Sequence, residues 1–212
     1  TLSHSSAASD VYKRQVKRVQ SIIKSIEPND SRDRYTKLGV DCIDGTGKLV
    51  SPHSVEVNGK VLTARSIIIA TGAGPMVPNI QGLDKINYLT SDNIWDLKKL
   101  PRKLVILGGG PIGSEMAQAF SRLGSEVTVV EMSSQIMSRE DNDVVKFVKE
   151  RFKKEGIKVL VNHTAIRFKL NKLICDYKGK EKSIEFDQVL LALGRCPNTV
   201  SYTHLTLPTS VT

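Results

Sequence analysis

Residues Lys103–Glu131 read KLVILGGGPIGSEMAQAFSRLGSEVTVVE, and this stretch decides the fold. Four apolar residues, Leu104 to Leu107, have the pattern of a buried strand. Glycines follow at Gly108, Gly110 and Gly113, spaced G-x-G-x-x-G. Ile112, Met116, Ala119, Phe120 and Leu123 then recur at helical spacing, which predicts one buried helix face. Pro111 suits a first helical position, because the N–H it lacks would have no acceptor there. Gly124 suits the helix end. A second strand, Val127 to Val130, closes the unit and ends on Glu131. The order strand–helix–strand predicts an α/β fold with a parallel sheet.

Each glycine has a separate reason. Gly108 permits the tight turn from strand into helix, Gly110 leaves the backbone open to a pyrophosphate, and Gly113 lets helix and strand pack closely. Phosphates then meet free N–H groups at the positive end of the helix dipole. Glu131, about twenty residues on, is placed to accept hydrogen bonds from the adenosine ribose hydroxyls. A 2′-phosphate beside Glu131 would face like charge, worth a few kcal/mol at about 4 Å when the effective dielectric is near 20. Met132, Ser133 and Ser134 carry no offsetting cation, and Arg139 is the nearest. NAD(H) is therefore expected over NADP(H).

The chain has 212 residues and a net charge of +9, with its lysines spread over helices and turns. That spread predicts a solvated basic surface, not a nucleic-acid site. No apolar run approaches the roughly 18–20 residues that span a bilayer, and no secretory signal is apparent. Cys42, Cys175 and Cys196 lie far apart and form no C-x-x-C pair. This fits a reducing, cytoplasmic compartment.

Ser5–Gln15, SSAASDVYKRQ, resembles one reading frame of a transposase adapter used to prepare sequencing libraries. Val200–Thr209, VSYTHLTLPT, resembles a frame of its reverse complement. Residues 1–15 and 200–212 are accordingly expected to be non-native, and the portion between them an internal gene fragment. A chain that is never expressed is one reading of such ends.

Within that portion, Val16–Glu27 has helical spacing, and Ser31 or Asp30 can cap a short helix ending at Gly39. Val40–Ile43 reads as a strand. Val50–Val57 and Val61–Ala64 flank Asn58-Gly59, a strong hairpin signal. Ser66–Ala70 reads as a buried strand meeting a ligand loop at Thr71-Gly72. Prolines mark a linker, in which Ser91 caps a short helix carrying Trp95, expected to pack. After Glu131, Asp141–Glu155 reads as a helix and Ile157–Val161 as a strand. An antiparallel excursion follows, Ala165–Leu170, Leu173–Tyr177 and Ser183–Phe186, with turns at Asn171-Lys172 and Lys178-Gly179. Val189–Leu193 then returns to the sheet. His53 and His163 are expected on the surface, and His204 falls in adapter-like sequence.

The parts repeat. SRDRYTKLGVDCID (Ser31–Asp44) lines up with VKERFKKEGIKVLV (Val148–Val161), each followed by an excursion and a strand ending Ala-x-Gly, at Ala70–Gly72 and Ala192–Gly194.

IIIATGAGPMVPNIQG, VILGGGPIGSEMA and VLLALGRCPN jointly resemble the class I pyridine nucleotide–disulfide oxidoreductases, in their mercuric-reductase-like branch. The resemblance implies a Rossmann-like NAD-binding domain over 103–199, a linker over 87–102, and over 16–86 the C-terminal part of a similar FAD-binding domain. It implies FAD contacts at Thr71, Gly72 and Ala73. It implies NAD contacts at Gly108, Gly109, Gly110, Pro111, Ile112, Gly113, Glu115, Glu131, Ala165 and Gly194. Glu115 would sit near the nicotinamide. The implied activity is an FAD-dependent NAD(P)H oxidoreductase that passes hydride from nicotinamide to flavin and on to a disulfide or similar acceptor. The implied assembly is a homodimer, with no nucleic-acid or membrane partner. The flavin glycine loop, the redox cysteine pair and the acid–base histidine of the family do not occur in this sequence. The three cysteines are expected to pack, and the chain itself to be catalytically inactive. A non-catalytic NAD(H)-binding module is the alternative.

Overall fold

The computed structural model describes residues 2–199, with side chains from residue 11 onward. In chain order the elements are α1 (Leu2–Ile26), α2 (Arg32–Lys37), β1 (Lys48–Ser51), β2 (Ser54–Val57), β3 (Lys60–Thr63), β4 (Ala73–Pro75), β5 (Tyr88–Leu89), β6 (Lys103–Leu107), α3 (Pro111–Leu123), β7 (Glu126–Val130), α4 (Asn142–Lys154), β8 (Lys158–Leu160), β9 (Thr164–Lys169), β10 (Lys172–Tyr177), β11 (Lys180–Glu185), β12 (Gln188–Leu191) and β13 (Arg195–Pro197). The chain divides into two units. One holds Pro75–Arg195 with the chain up to Ile22, and the other holds Ile23–Gly74 with the chain from Cys196.

The first unit is built on a parallel sheet in the order β5-β12-β6-β7-β8. Both faces of β6 are buried, so its four apolar residues serve two cores. Leu104 and Ile106 face the helices, where they meet Ala117 and Phe120 of α3 and Val145 and Phe152 of α4. Val105 and Leu107 face a second layer, the antiparallel sheet β9-β10-β11, and join Phe168, Leu173 and Phe186. Each fully buried aliphatic side chain of this kind contributes about 1.5–3 kcal/mol of transfer free energy. Gly124 ends α3 in the left-handed region at φ 107°, and Gly156 follows α4 at φ 73°. Glu155 ties the two helices together, its Oε1 accepting from Arg122 at 2.8 Å and Arg151 at 2.6 Å.

The expected face of α3 is displaced. Ala117, Ser114 and Gly113 are buried beside Phe120, while Ala119 is exposed and Ile112 is 38% exposed, turned toward a cleft. The turn after β9 falls at Leu170-Asn171, with Leu170 at φ 55°, one residue earlier than expected. Trp95 does not pack. It is 43% exposed, its indole N–H donates to the Ser91 carbonyl at 3.0 Å, and the neighbouring Ile94 takes the buried place. Residues 75–102, read from the sequence as the end of one domain and a linker, bury Leu83, Leu89 and Ile94 in the first unit. The helix expected from Val16 extends back to Leu2, with Tyr12 buried and its hydroxyl donating to the Leu97 carbonyl at 2.6 Å. The adapter-like origin of residues 1–15 remains a proposal, and 200–212, with His204, lie outside the described residues.

In the second unit Ser31 caps α2, its Oγ accepting from the Arg34 N–H at 3.3 Å. Asn58 (φ 50°) and Gly59 (φ 74°) turn β2 into β3, as a primed hairpin turn requires. The expected Val50–Val57 strand is two strands, interrupted at Pro52-His53. The strands expected at 40–43 and 66–70 do not form. Neither run is paired with another strand among the described residues, and Ile68 is 91% exposed.

Candidate functional site

A cleft of about 910 Å³ opens at the carboxyl ends of the parallel strands. It is lined by the residues that follow β6 (Gly108, Gly110 to Ile112), β7 (Glu131 to Ser133) and β12 (Ala192 to Gly194). Chain order reverses here. From β6 the chain proceeds to β7 and β8 on one side, while β12 lies on the other, and ligands of open α/β sheets bind at such a switch point.

The three motif glycines behave differently when a Cβ is placed on each. At Gly108 (φ 99°) it would overlap the Ala192 carbonyl oxygen, so the turn against β12 requires glycine. At Gly113 it would overlap the Gly108 carbonyl oxygen and lie 3.3 Å from Ala192 Cβ, so the close approach at this point requires glycine. At Gly110 it would meet no protein atom within 4 Å. The space in front of Gly110 belongs to the cleft. The Ser114 N–H bonds to the Gly110 carbonyl at 2.9 Å. The earlier first-turn N–H groups have no intrahelical acceptor, and they present a positive dipole end to that space. This cradle fits the pyrophosphate of a dinucleotide.

Glu131 is fixed twice. Its Oε2 accepts from the Gly109 N–H and its Oε1 from the Ser133 N–H, both at 2.7 Å. Each oxygen keeps lone-pair capacity for a further donor. The acid thus staples the glycine loop to the end of β7 while facing the cleft. Gly109 is packed beneath, where an added Cβ would lie 2.5 Å from Ile136 Cγ2.

Gly108, Gly110, Pro111, Ile112, Glu131, Ala165 and Gly194 come together on this one surface. Gly109 and Gly113 support it without lining it. Glu115 is exposed on α3 and does not line the cleft. Thr71, Gly72 and Ala73 belong to the other unit, where Asn198 holds the loop. The Asn198 N–H donates to the Gly72 carbonyl at 3.0 Å, and its Nδ2 donates to the Thr71 carbonyl at 2.9 Å.

The sequence reading missed several contributors. Residues Ile136 to Glu140 fold over the loop, with the Met137 N–H donating to the Gly109 carbonyl at 2.7 Å. Their sequence, IMSRE, carries no periodicity that would reveal this. Arg139, noted as the nearest cation, does line the cleft. His163, expected on the surface, is 9% exposed and also lines it, with its ring stacked 4.5 Å from that of Tyr177.

The cysteines differ from one another. Cys175 is fully buried, and burial pushes its thiol up to about 11, which leaves it inert at neutral pH. Cys42 is half-buried and Cys196 exposed, so packing accounts for Cys175 alone. Among the described residues no cluster of His, Cys, Asp or Glu has the arrangement of a metal site, and no helix is long and apolar enough to cross a membrane.

Comparison with known proteins gives the family. The chain is 35% identical over 184 residues to a mercuric reductase of Lysinibacillus sphaericus, covering 85% of this chain and 34% of the relative. It is 34% identical over 196 residues to a dihydrolipoyl dehydrogenase of Acholeplasma laidlawii, covering 91% of this chain and 58% of the relative. Among solved structures, the HOCl-induced flavoprotein disulfide reductase RclA from Escherichia coli matches with a TM-score of 0.77 at 29% identity, over 90% of this chain and 44% of that one. The chain thus spans about a third of the mercuric reductases it matches. The family model for pyridine nucleotide-disulphide oxidoreductases matches residues 2–210, and the chain belongs to that family.

Proposed function

We propose that the cleft binds NADH, and that the chain forms the nucleotide-binding part of an FAD-dependent oxidoreductase acting on a disulfide or similar acceptor. The observation that supports this most is the open space at Gly110, bounded by the dipole end of α3 and by Glu131. Bound flavin would take the hydride from the nicotinamide and pass its two electrons to the acceptor. This chain's residues would bind and orient. First-turn N–H groups of α3 hold the pyrophosphate. Glu131 accepts from the adenosine ribose hydroxyls. Ala165 and Gly194 offer backbone groups to the nucleotide. Glu115 serves near the nicotinamide, and Thr71, Gly72 and Ala73 contact the flavin.

NADH is favoured over NADPH because the Glu131 carboxylate would lie against a 2′-phosphate. Arg139 at the cleft rim is the cation that could offset this. In this reading the chain's own role is nucleotide binding without turnover; Cys175 is buried, and its three cysteines lie far apart in the sequence. As a non-catalytic module it would bind NADH equally well. The parent is a homodimeric cytoplasmic enzyme in this reading.

The test is calorimetric titration of the chain with NADH and then NADPH, repeated with Glu131→Ala. NADH should bind more tightly, and the substitution should bring the two affinities together. Tighter NADPH binding that Arg139→Ala abolishes would reverse the nucleotide assignment.

A further inference from the structure

His163 occupies a defined position in the cleft. Its N–H donates to the Glu131 carbonyl at 3.0 Å, and the preceding Asn162 N–H donates to the Ser133 carbonyl at 2.9 Å. The residue therefore sits one hydrogen bond from the backbone of the acid proposed to hold the adenosine ribose, and both line the same cleft. Its imidazole is oriented from two directions. Nδ1 lies 2.7 Å from the Val161 carbonyl oxygen, and one ring face stacks on Tyr177 with an interplanar angle of 18°. A carbonyl oxygen can only accept, so Nδ1 donates. The neutral ring then carries its lone pair on Nε2. With the Nδ1 edge and one face occupied, the Nε2 edge is what His163 has left to offer the cleft that it lines.

We infer that His163 reads the base of the bound nucleotide, with Nε2 accepting a hydrogen bond from the exocyclic 6-amino group of adenine. The inference rests on the NADH reading of the cleft and extends it from the ribose to the base. Hypoxanthine carries a carbonyl oxygen at that position, which sets lone pair against lone pair. Loss of one neutral hydrogen bond lowers affinity by roughly threefold to tenfold, and the facing lone pairs add to it.

The experiment titrates the full chain with NADH and with reduced nicotinamide hypoxanthine dinucleotide. The native chain should prefer NADH by about tenfold. His163→Phe keeps a ring on Tyr177 but presents no acceptor, and should bind both within twofold of each other. His163→Gln can offer either an amide oxygen or an amide N–H, and should also lose the preference. It carries the test if the Phe variant fails to fold by circular dichroism. A purely structural role would weaken both ligands together and leave their ratio unchanged. Equal binding of both by the native chain, or a preference that survives in the variants, overturns the role of His163 while the NADH reading stands. Binding of neither ligand by the folded native chain overturns both.

Discussion

Gly110 and Gly113 are three residues apart, and substituting them should fail in opposite ways. In Gly113→Ala the new methyl overlaps the Gly108 carbonyl oxygen, and it also lies 3.1 Å from the Gly108 carbonyl carbon and 3.3 Å from Ala192 Cβ. All three are backbone or short-side-chain atoms of packed elements, so α3 must lift off β6. Overpacking of this kind costs about 1–3 kcal/mol and occasionally more. Alanine's helix propensity returns up to about 1 kcal/mol. With no flexible neighbour to yield, a net loss near 2 kcal/mol is expected, or roughly 4–8 °C in the melting temperature of a unit this size. In Gly110→Val the backbone, at φ −71°, already suits an L-residue, and a Cβ there has no non-neighbouring protein atom within 4 Å. The loss there is limited to a poorer N-cap, about 1 kcal/mol or less. The valine side chain fills the proposed pyrophosphate space, and NADH affinity should fall at least about a hundredfold, equivalent to about 2.7 kcal/mol. Thermal melts and calorimetric titrations of the two variants decide the matter. If Gly113→Ala melts with the native chain, or Gly110→Val binds NADH normally, the separate roles read for these glycines are wrong.

Acid sensitivity should trace in part to Glu155. The Arg122 guanidinium hydrogen-bonded to it holds its carboxyl below the usual range, against the opposing effect of burial. A lowered folded-state pKa contributes stability that is present above the ordinary carboxylate range and lost as pH falls through the lowered value. Melting temperatures across acid pH should therefore fall less steeply in Glu155→Gln than in the native chain, and parallel curves would refute the link. Alkylation of the native chain, followed by peptide mass analysis, should modify exposed Cys196 well before Cys175, whose burial and raised pKa both oppose thiolate formation. Equal labelling would mean that the core around Cys175 opens readily.

The βαβ unit was legible because its signals are local. Pro111, Gly124 and the apolar run at Leu104 to Leu107 each act within a few residues, and all fell where expected. The helix face was less legible. Gly113, Ser114 and Ala117 are buried because their small size lets α3 approach the sheet, and small residues carry little hydrophobic signal. His163 was misplaced for a related reason. A histidine after a strand reads as polar and exposed, and only the arrival of Tyr177 from β10 makes a stacked, buried site for it. Met137 to Glu140 line the cleft, held there by one backbone bond from Met137 to Gly109, which leaves no trace in side-chain pattern.

The internal repeat separates what local sequence specifies from what pairing must supply. Both copies form a helix ended by a left-handed glycine, Gly39 at φ 85° after α2 and Gly156 at φ 73° after α4. Both then form a three-stranded antiparallel excursion, β1-β2-β3 and β9-β10-β11, followed by a left-handed glycine at Gly72 and Gly194. Capping and hairpin turns specify these parts, and they appear twice. The copies differ at two runs. Residues 158–160 form β8 and 188–191 form β12, but their counterparts at 40–43 and 66–70 form no strand. In the second copy these strands lie beside β7 and beside β6, as parallel neighbours. Parallel pairing is non-local and slightly weaker per residue than antiparallel pairing, so such a strand depends on a neighbour already in place. The apolar Ile67 to Ile69 run is as strand-like in sequence as Val189 to Leu191, yet Ile68 is exposed while Val189 and Leu190 are buried. Similar local sequence therefore gives a strand beside β6 and none where no strand is paired with it, and the difference lies in the pairing partner.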